Sequence, residues 1–139
     1  MASFQKFNSF VEAVAEKVHN LGSDTLKVVL TNTAPVATNT QLSDITQITG
    51  ANGYTTGGAT ATTSSSAQTS GTYKLVLADV SWTASGGSIG PFRYAVLYND
   101  TAVNDELIGF WDYGTNLTLT DANTFTVDFD ATNGVLTIA

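Results

Sequence analysis

From residue 73 to the C-terminus the chain is one short alternating run after another, each closed by turn-forming residues. YKLVLADVSWTA, FRYAVLYND, ELIGFWDYG, NLTLTD, TFTVDFD and GVLTIA are punctuated by SGGSIGP, TAVND, DAN and ATNG. A period of two sends successive side chains to opposite faces of a pleated strand, and a helix cannot use that pattern. Runs spaced about ten residues apart between such turns point to antiparallel pairing in a sandwich or closed barrel. The expected class is therefore mainly β: an antiparallel β-sandwich or barrel-like domain with one N-terminal amphipathic α-helix.

Local details follow from the same periodicity. Tyr73, Leu75, Leu77 and Asp79 share one side, whereas Val80 and Trp82 take the other, so a bulge or bend is expected near Ala78. In 92–100 both faces carry large side chains, which predicts a strand covered on both sides. In ELIGFWDYG, Leu107, Gly109, Trp111 and Tyr113 should share one face, and Ile108, Phe110 and Asp112 the other. Gly109 leaves space there for a neighbouring aromatic or a bulge. The stretch reads as a central strand between 92–100 and 115–120, forming core wall rather than a ligand platform. Asn133-Gly134 predicts a tight hairpin between the last two strands.

Upstream the pattern changes. Over 3–21, Phe4, Phe7, Phe10, Val11, Val14 and Val18 recur three or four apart, as on one face of a helix. Ser3 is the expected N-cap and Gly22 the C-terminal stop. That stripe needs a cover, supplied by the domain's own sheet or by a partner subunit. DTLKVVL (24–30) alternates Leu26, Val28 and Leu30 against Lys27 and Val29 as a strand, and a long connection with Pro35 and several Asn follows. Residues 51–71 are Thr, Ser and Gly rich. They are expected to form a flexible segment, an exposed edge strand or an arm that orders on a neighbour. The chain, 1–139, is expected to be a single domain, with a β domain over 24–139.

Composition narrows the function. Charged residues are 12% of the chain, and Thr, Asn and Ser supply the remaining polarity. Such a surface can press against another protein without stranding unpaired charges. The net charge is −7, and the basic residues Lys6, Lys17, Lys27, Lys74 and Arg93 are scattered, so nucleic acid is not an expected partner. With no Cys there is no thiolate nucleophile, disulfide or Cys-ligated metal. The N-terminal stretch has acids within its apolar pattern and reads as neither signal peptide nor membrane span. A protein made in a cytoplasm, with no membrane partner, is expected.

Reactive chemistry is sparse. His19 is the one histidine, near Glu16 but without a nucleophile elbow, and is read as a helix C-terminal residue. Carboxylate pairs can be drawn from Asp100, Asp105, Glu106 and Asp112, but a chain with twelve acids offers such pairs by chance. Asp128 and Asp130 open a run like a calcium loop, with the glycine one position late and no closing Glu. No enzyme activity, cofactor or metal is expected. Trp82, Trp111, Tyr98 and Tyr113 are candidate ligand aromatics, since ring faces stack on sugars. Sugar sites add Asp, Asn or Arg at the same spot.

Two segments, FNSFVEAVAEKVHNLGSDTLKVVLTNTAPVATNT and FRYAVLYNDTAVNDELIGFWDYG, resemble a group of small virion proteins of tailed bacteriophages. The resemblance covers most of the chain outside 55–70. It implies a capsid decoration, or cement, protein on the outer capsid surface of the virion, made in the host bacterial cytoplasm. Its implied partners are the major capsid protein and itself, as a homotrimer or dimer. The expected contact residues are Phe4, Phe7, Phe10 and Val14 on the helix, with Thr55, Thr56, Thr60, Thr62 and Ser66 in the polar stretch. The alternative is a tail or head-fibre adhesion module that binds host-surface carbohydrate through the aromatics above.

Overall fold

The alternating runs become strands in a computed structural model that describes residues 2–139. In chain order the elements are β1 (Gln5–Lys6), α1 (Asn8–Ala15), β2 (Leu26–Thr31), β3 (Ala59–Ala61), β4 (Thr63–Thr69) and β5 (Thr72–Leu77). β6 (Val80–Thr83), β7 (Ile89–Asn99), β8 (Leu107–Leu119), β9 (Thr124–Val127) and β10 (Leu136–Ile138) complete the chain. They form a five-stranded sheet in the order β1-β8-β7-β2-β3, a three-stranded sheet β10-β5-β4 and a two-stranded ribbon β6-β9. Every pairing is antiparallel. The protein is thus mainly β with one short helix, and no sheet closes into a barrel.

The five-stranded sheet is covered on both faces because its central strands carry apolar side chains on both. Leu26, Val28 and Leu30 of β2 enter the larger core beside Leu75, Leu77, Val80 and Trp82. Val29, from the opposite face of the same strand, joins Val96, Tyr98, Leu107 and Phe110 in a second cluster closed by Phe7, Leu42 and Ile45. Fully burying each Leu or Val contributes about 1.5–3 kcal/mol, so this two-sided strand anchors the fold. The 32–58 connection is pinned over the second cluster. Gln47 Oε1 accepts from Gly57 N (2.8 Å) and from the Tyr54 hydroxyl (3.1 Å), and the Tyr98 hydroxyl donates to Gly57 O (2.6 Å).

The expectations for the N-terminal segment need correction. The 3–21 helix is confined to Asn8–Ala15, because residues 5 and 6 pair with β8 instead. Phe7, not Ser3, is its N-cap, and no side chain caps it. The helix ends before Gly22: Lys17 adopts φ 68°, Val18 N bonds Ala13 O (2.9 Å) and Lys17 N bonds Val14 O (3.4 Å). That is a Schellman ending with Lys where Gly is usual. The Phe stripe is consequently split: Phe7 lies in the second cluster, while Phe10 and the flanking Phe4 and Val14 pack with the larger core. Phe7 and Phe10 are buried in the chain's own interior and present no docking face.

Residues 51–71 are regular rather than loose. They contain β3 and β4, and a two-residue turn at Ser70-Gly71 leads into β5. The bend near Ala78 is a change of sheet: β5 ends at Leu77 and β6 begins at Val80 in the ribbon. Asn133-Gly134 makes no hairpin, since β9 and β10 belong to different sheets. Asp130 Oδ1 instead accepts from Thr132 N and Asn133 N (both 2.8 Å), and Asp130 O accepts from Gly134 N (2.9 Å), folding 128–135 into its own turn. Residues 115–119 continue β8 instead of forming a separate strand.

Candidate functional site

ELIGFWDYG supplies, through Trp111 and Tyr113, one wall of a groove of about 480 Å³. β8 meets β7 across a register shift: Leu97 faces Gly109, yet Tyr98 faces Leu107, so Ile108 is an extra residue. This bulge breaks the simple alternation. Leu107 and Phe110 share the second cluster, whereas Ile108 and Trp111 face the larger core. The expected face uniting Leu107 with Trp111 and Tyr113 therefore does not exist. Beyond the bulge Trp111 and Tyr113 both line the groove.

The groove's other walls come from distant parts of the chain. Phe4 lies over Gly109 and meets Trp111 at 5.3 Å between ring centroids. Phe129, in the turn after β9, meets Trp111 from another side at 5.5 Å. Phe125 of β9 lies 5.8 Å from Tyr113 and 4.8 Å from Phe92. Phe4, Phe92, Phe125 and Phe129 thus come to Trp111 and Tyr113 from other parts of the chain, held in place by the β1–β8, β7–β8 and β6–β9 pairings.

Polar groups converge at the same place. Arg93 lines the groove and holds a two-point ion pair with Asp112, Nε to Oδ1 at 2.8 Å and Nη2 to Oδ2 at 3.0 Å. The guanidinium beside it, followed by the Gly114 amide, holds the Asp112 carboxyl below its ordinary range. Two of the five guanidinium N–H groups are used by Asp112, which leaves three donors. Asp128 and Asp130 are on the rim. Asp130 is committed to its turn, and the Asn133 amides, then the Thr132 amide, keep it ionised below the usual carboxylate range. Asp128 is exposed and has no such commitment.

The remaining candidates lie elsewhere. Trp82 is buried beneath the groove, between Tyr54 and Phe125, and has no open face. Tyr98 is 1% exposed on the opposite side of the sheet; burial, then the charges of Asp100 and Asp105, push its hydroxyl well up. Neither is free to stack on a ligand. Thr55, Thr56, Thr60 and Thr62 are exposed, and Ser66 is half-buried with its hydroxyl 2.8 Å from that of Tyr73. The sequence pointed to no site at Phe92, Phe125 or Phe129, and offered Arg93 only as a scattered basic residue and Asp128 only as the start of a calcium-like run. The i, i+2, i+4 spacing of Phe125, Val127 and Phe129 in TFTVDFD was the one available signal.

His19 is buried beyond the helix end, not on it, and pairs with Asn99 rather than Glu16. Asp112 is tied to Arg93 apart from the other acids, Asp100 is tied to Lys27 (3.1 Å) and Glu106 accepts from Asn104; Asp105 lies near both, and burial, then the charges of Asp100 and Glu106, raise its carboxyl above the ordinary value. Among the described residues no group of three or more His, Asp or Glu is placed to hold a metal ion, and no helix is long and apolar enough to cross a membrane. Comparison with protein-family models, curated proteins and solved structures gave no match.

Proposed function

We propose that this chain is a structural protein of a tailed-bacteriophage virion that decorates the capsid and stabilises it by bridging major capsid subunits. Besides the sequence resemblance, the observation that carries this reading is the free edge of β4. The strand reads TSSSAQT, with no charge and no Pro over its length, and it is the outer strand of its sheet. The tight turn at Ser70-Gly71 makes Thr69–Thr72 a hydrogen-bonded pair, so the main-chain groups of Ser66 and Gln68 point away from β5. Soluble proteins ordinarily blunt such edges with Lys, Pro or a covering element. An uncharged, unblunted edge on a chain of net charge −7 suits strand-to-strand contact with a neighbour.

Thr55, Thr56, Thr60 and Thr62 extend the same uncharged surface before β4. A shell packed with DNA is under outward pressure, and many copies each adding a modest contact resist it through multivalency. We read the layers around the larger core as an open β-sandwich, and the assembly as a homotrimer or dimer on the outer capsid surface. The test is co-sedimentation of purified protein with expanded capsids that lack it. Saturable attachment is expected, and a Ser64→Lys/Ala67→Lys double variant, which charges two exposed edge positions, should lose it while keeping its fold. Failure of the unmodified protein to attach either to capsids or to itself would remove this reading.

A further inference from the structure

The groove between β8, β9 and the N-terminal strand combines ring faces with a donor and an acceptor that the fold does not use. We infer that it is a binding site for an uncharged saccharide, a property that goes beyond the decorating role and does not depend on it. The argument is one of chemical complementarity. Phe4, Trp111, Phe125 and Phe129 make the interior apolar, and Tyr113, 52% exposed, stands at its mouth. The C–H face of a pyranose is the surface such rings accept.

The polar groups select among apolar ligands. Arg93 is held by Asp112 and keeps three N–H donors, while the Asp128 carboxylate offers acceptors on the same rim. A purely aliphatic occupant would desolvate both and satisfy neither. An anionic ligand would meet the Asp128 and Asp130 carboxylates, and Arg93, already neutralised by Asp112, would not offset them. A hydroxyl both donates and accepts, so a polyol ring satisfies the two groups together without adding charge. The volume of about 480 Å³ lies within the ordinary range for ligand sites and admits a short oligosaccharide.

The Arg93–Asp112 pair also fixes the guanidinium plane, and Asp112 is fixed in turn by Gly114 N at 2.7 Å. The donors are thus oriented before any ligand arrives, which lowers the ordering cost of binding. The wall is built from the segment before β1, from β7, β8 and β9 and from the 128–135 turn, so its shape belongs to the whole fold rather than to one loop.

The experiment is titration of the full chain with maltotriose, cellotriose and tri-N-acetylchitotriose, followed by calorimetry and by tryptophan fluorescence. Trigalacturonate serves as the acidic counterpart. Saturable binding of at least one neutral trisaccharide is expected, with the acidic counterpart about tenfold weaker. Tyr113→Ala and Asp128→Asn alter exposed side chains, so the fold should persist by circular dichroism, and each should weaken binding about tenfold. The inference is overturned if no neutral trisaccharide saturates. It is equally overturned if the acidic trisaccharide binds as well, or if both variants bind like the unmodified chain.

Discussion

Gly109 sits where the Phe4 ring closes over β8. A Cβ built on it would run into Phe4 Cε2 and Cζ, and would lie 2.9 Å from Gln5 O. Its backbone is not in the left-handed region, so the demand for glycine here is one of space and not of torsion. Gly109→Ala should therefore lift β1 from β8 and cost about 1–3 kcal/mol as an overpacked contact. Chemical denaturation would measure it. A Phe4→Ala background should recover part of the loss, because the ring is the nearer obstacle and the Gln5 carbonyl remains. Equal costs in both backgrounds would show that Phe4 is not what excludes the methyl. Gly114 makes a useful contrast: nothing lies within 4 Å of its Cβ position, but its φ of +98° strains any replacement.

At the scale of elements, the N-terminal segment separates what periodicity reveals from what it hides. Phe10 and Val11 are neighbours on α1, yet Phe10 is 6% exposed in the larger core and Val11 is 56% exposed. Phe10→Ala should cost about 3–5 kcal/mol, whereas Val11→Lys should fall within about 0.5 kcal/mol of neutral, both read from urea midpoints. A large loss from Val11→Lys would mean that the exposed face has a partner in the free chain. The strands β2, β5, β7 and β8 were legible because their alternation matches a pleat with different surroundings on each side. The helix was overextended because Phe4 and Phe7 obey helical spacing by coincidence. The backbone between them, Gln5–Lys6, and the Phe7 amide are claimed by β8, which is a long-range choice. The groove was legible only in part. Trp111 and Tyr113 announce themselves, but nothing local tells that β9 leaves the expected hairpin and brings Phe125 beside Tyr113. Likewise the bulge at Ile108 shifts one residue and reassigns Leu107, a change that no alternating pattern can encode.

At the scale of the whole molecule, one amide ties the connection between α1 and β2 to the β7–β8 loop and makes the fold sensitive to acid. Asn99, buried at the end of β7, has an Oδ1 that accepts from Thr101 N (2.9 Å) and Ala102 N (3.2 Å). Its orientation is fixed by those bonds, so Nδ2 is the donor both to Asp24 Oδ2 (2.7 Å) and to His19 Nδ1 (2.9 Å). His19 must then carry its proton on Nε2, a buried atom without a protein partner. Protonating Nδ1 would set one donor against another, and the ring is enclosed beside Phe10 at 5.5 Å. Burial is the leading cause that lowers the His19 pKa from 6.5, and the negative charges of Glu106 and Asp24 oppose it without reversing it. The unfolded chain therefore binds this proton more readily than the native one. The stabilisation is fully present above pH 6.5 and declines as pH falls below it, until the native histidine itself titrates. Urea midpoints taken at about pH 7.5 and about pH 5.5 should show a loss at the lower value. His19→Gln keeps an acceptor for Asn99 but has nothing to titrate, so its loss over the same interval should be smaller. An unchanged pH dependence in that variant would assign the acid sensitivity to the carboxylates instead. Asp44, Asp112 and Asp130 have pKa values lowered below the carboxylate reference of 3.8, and their contribution is lost only at more acidic pH. The two effects occupy different pH windows, so one titration of stability separates the buried imidazole held by Asn99 from the surface turns.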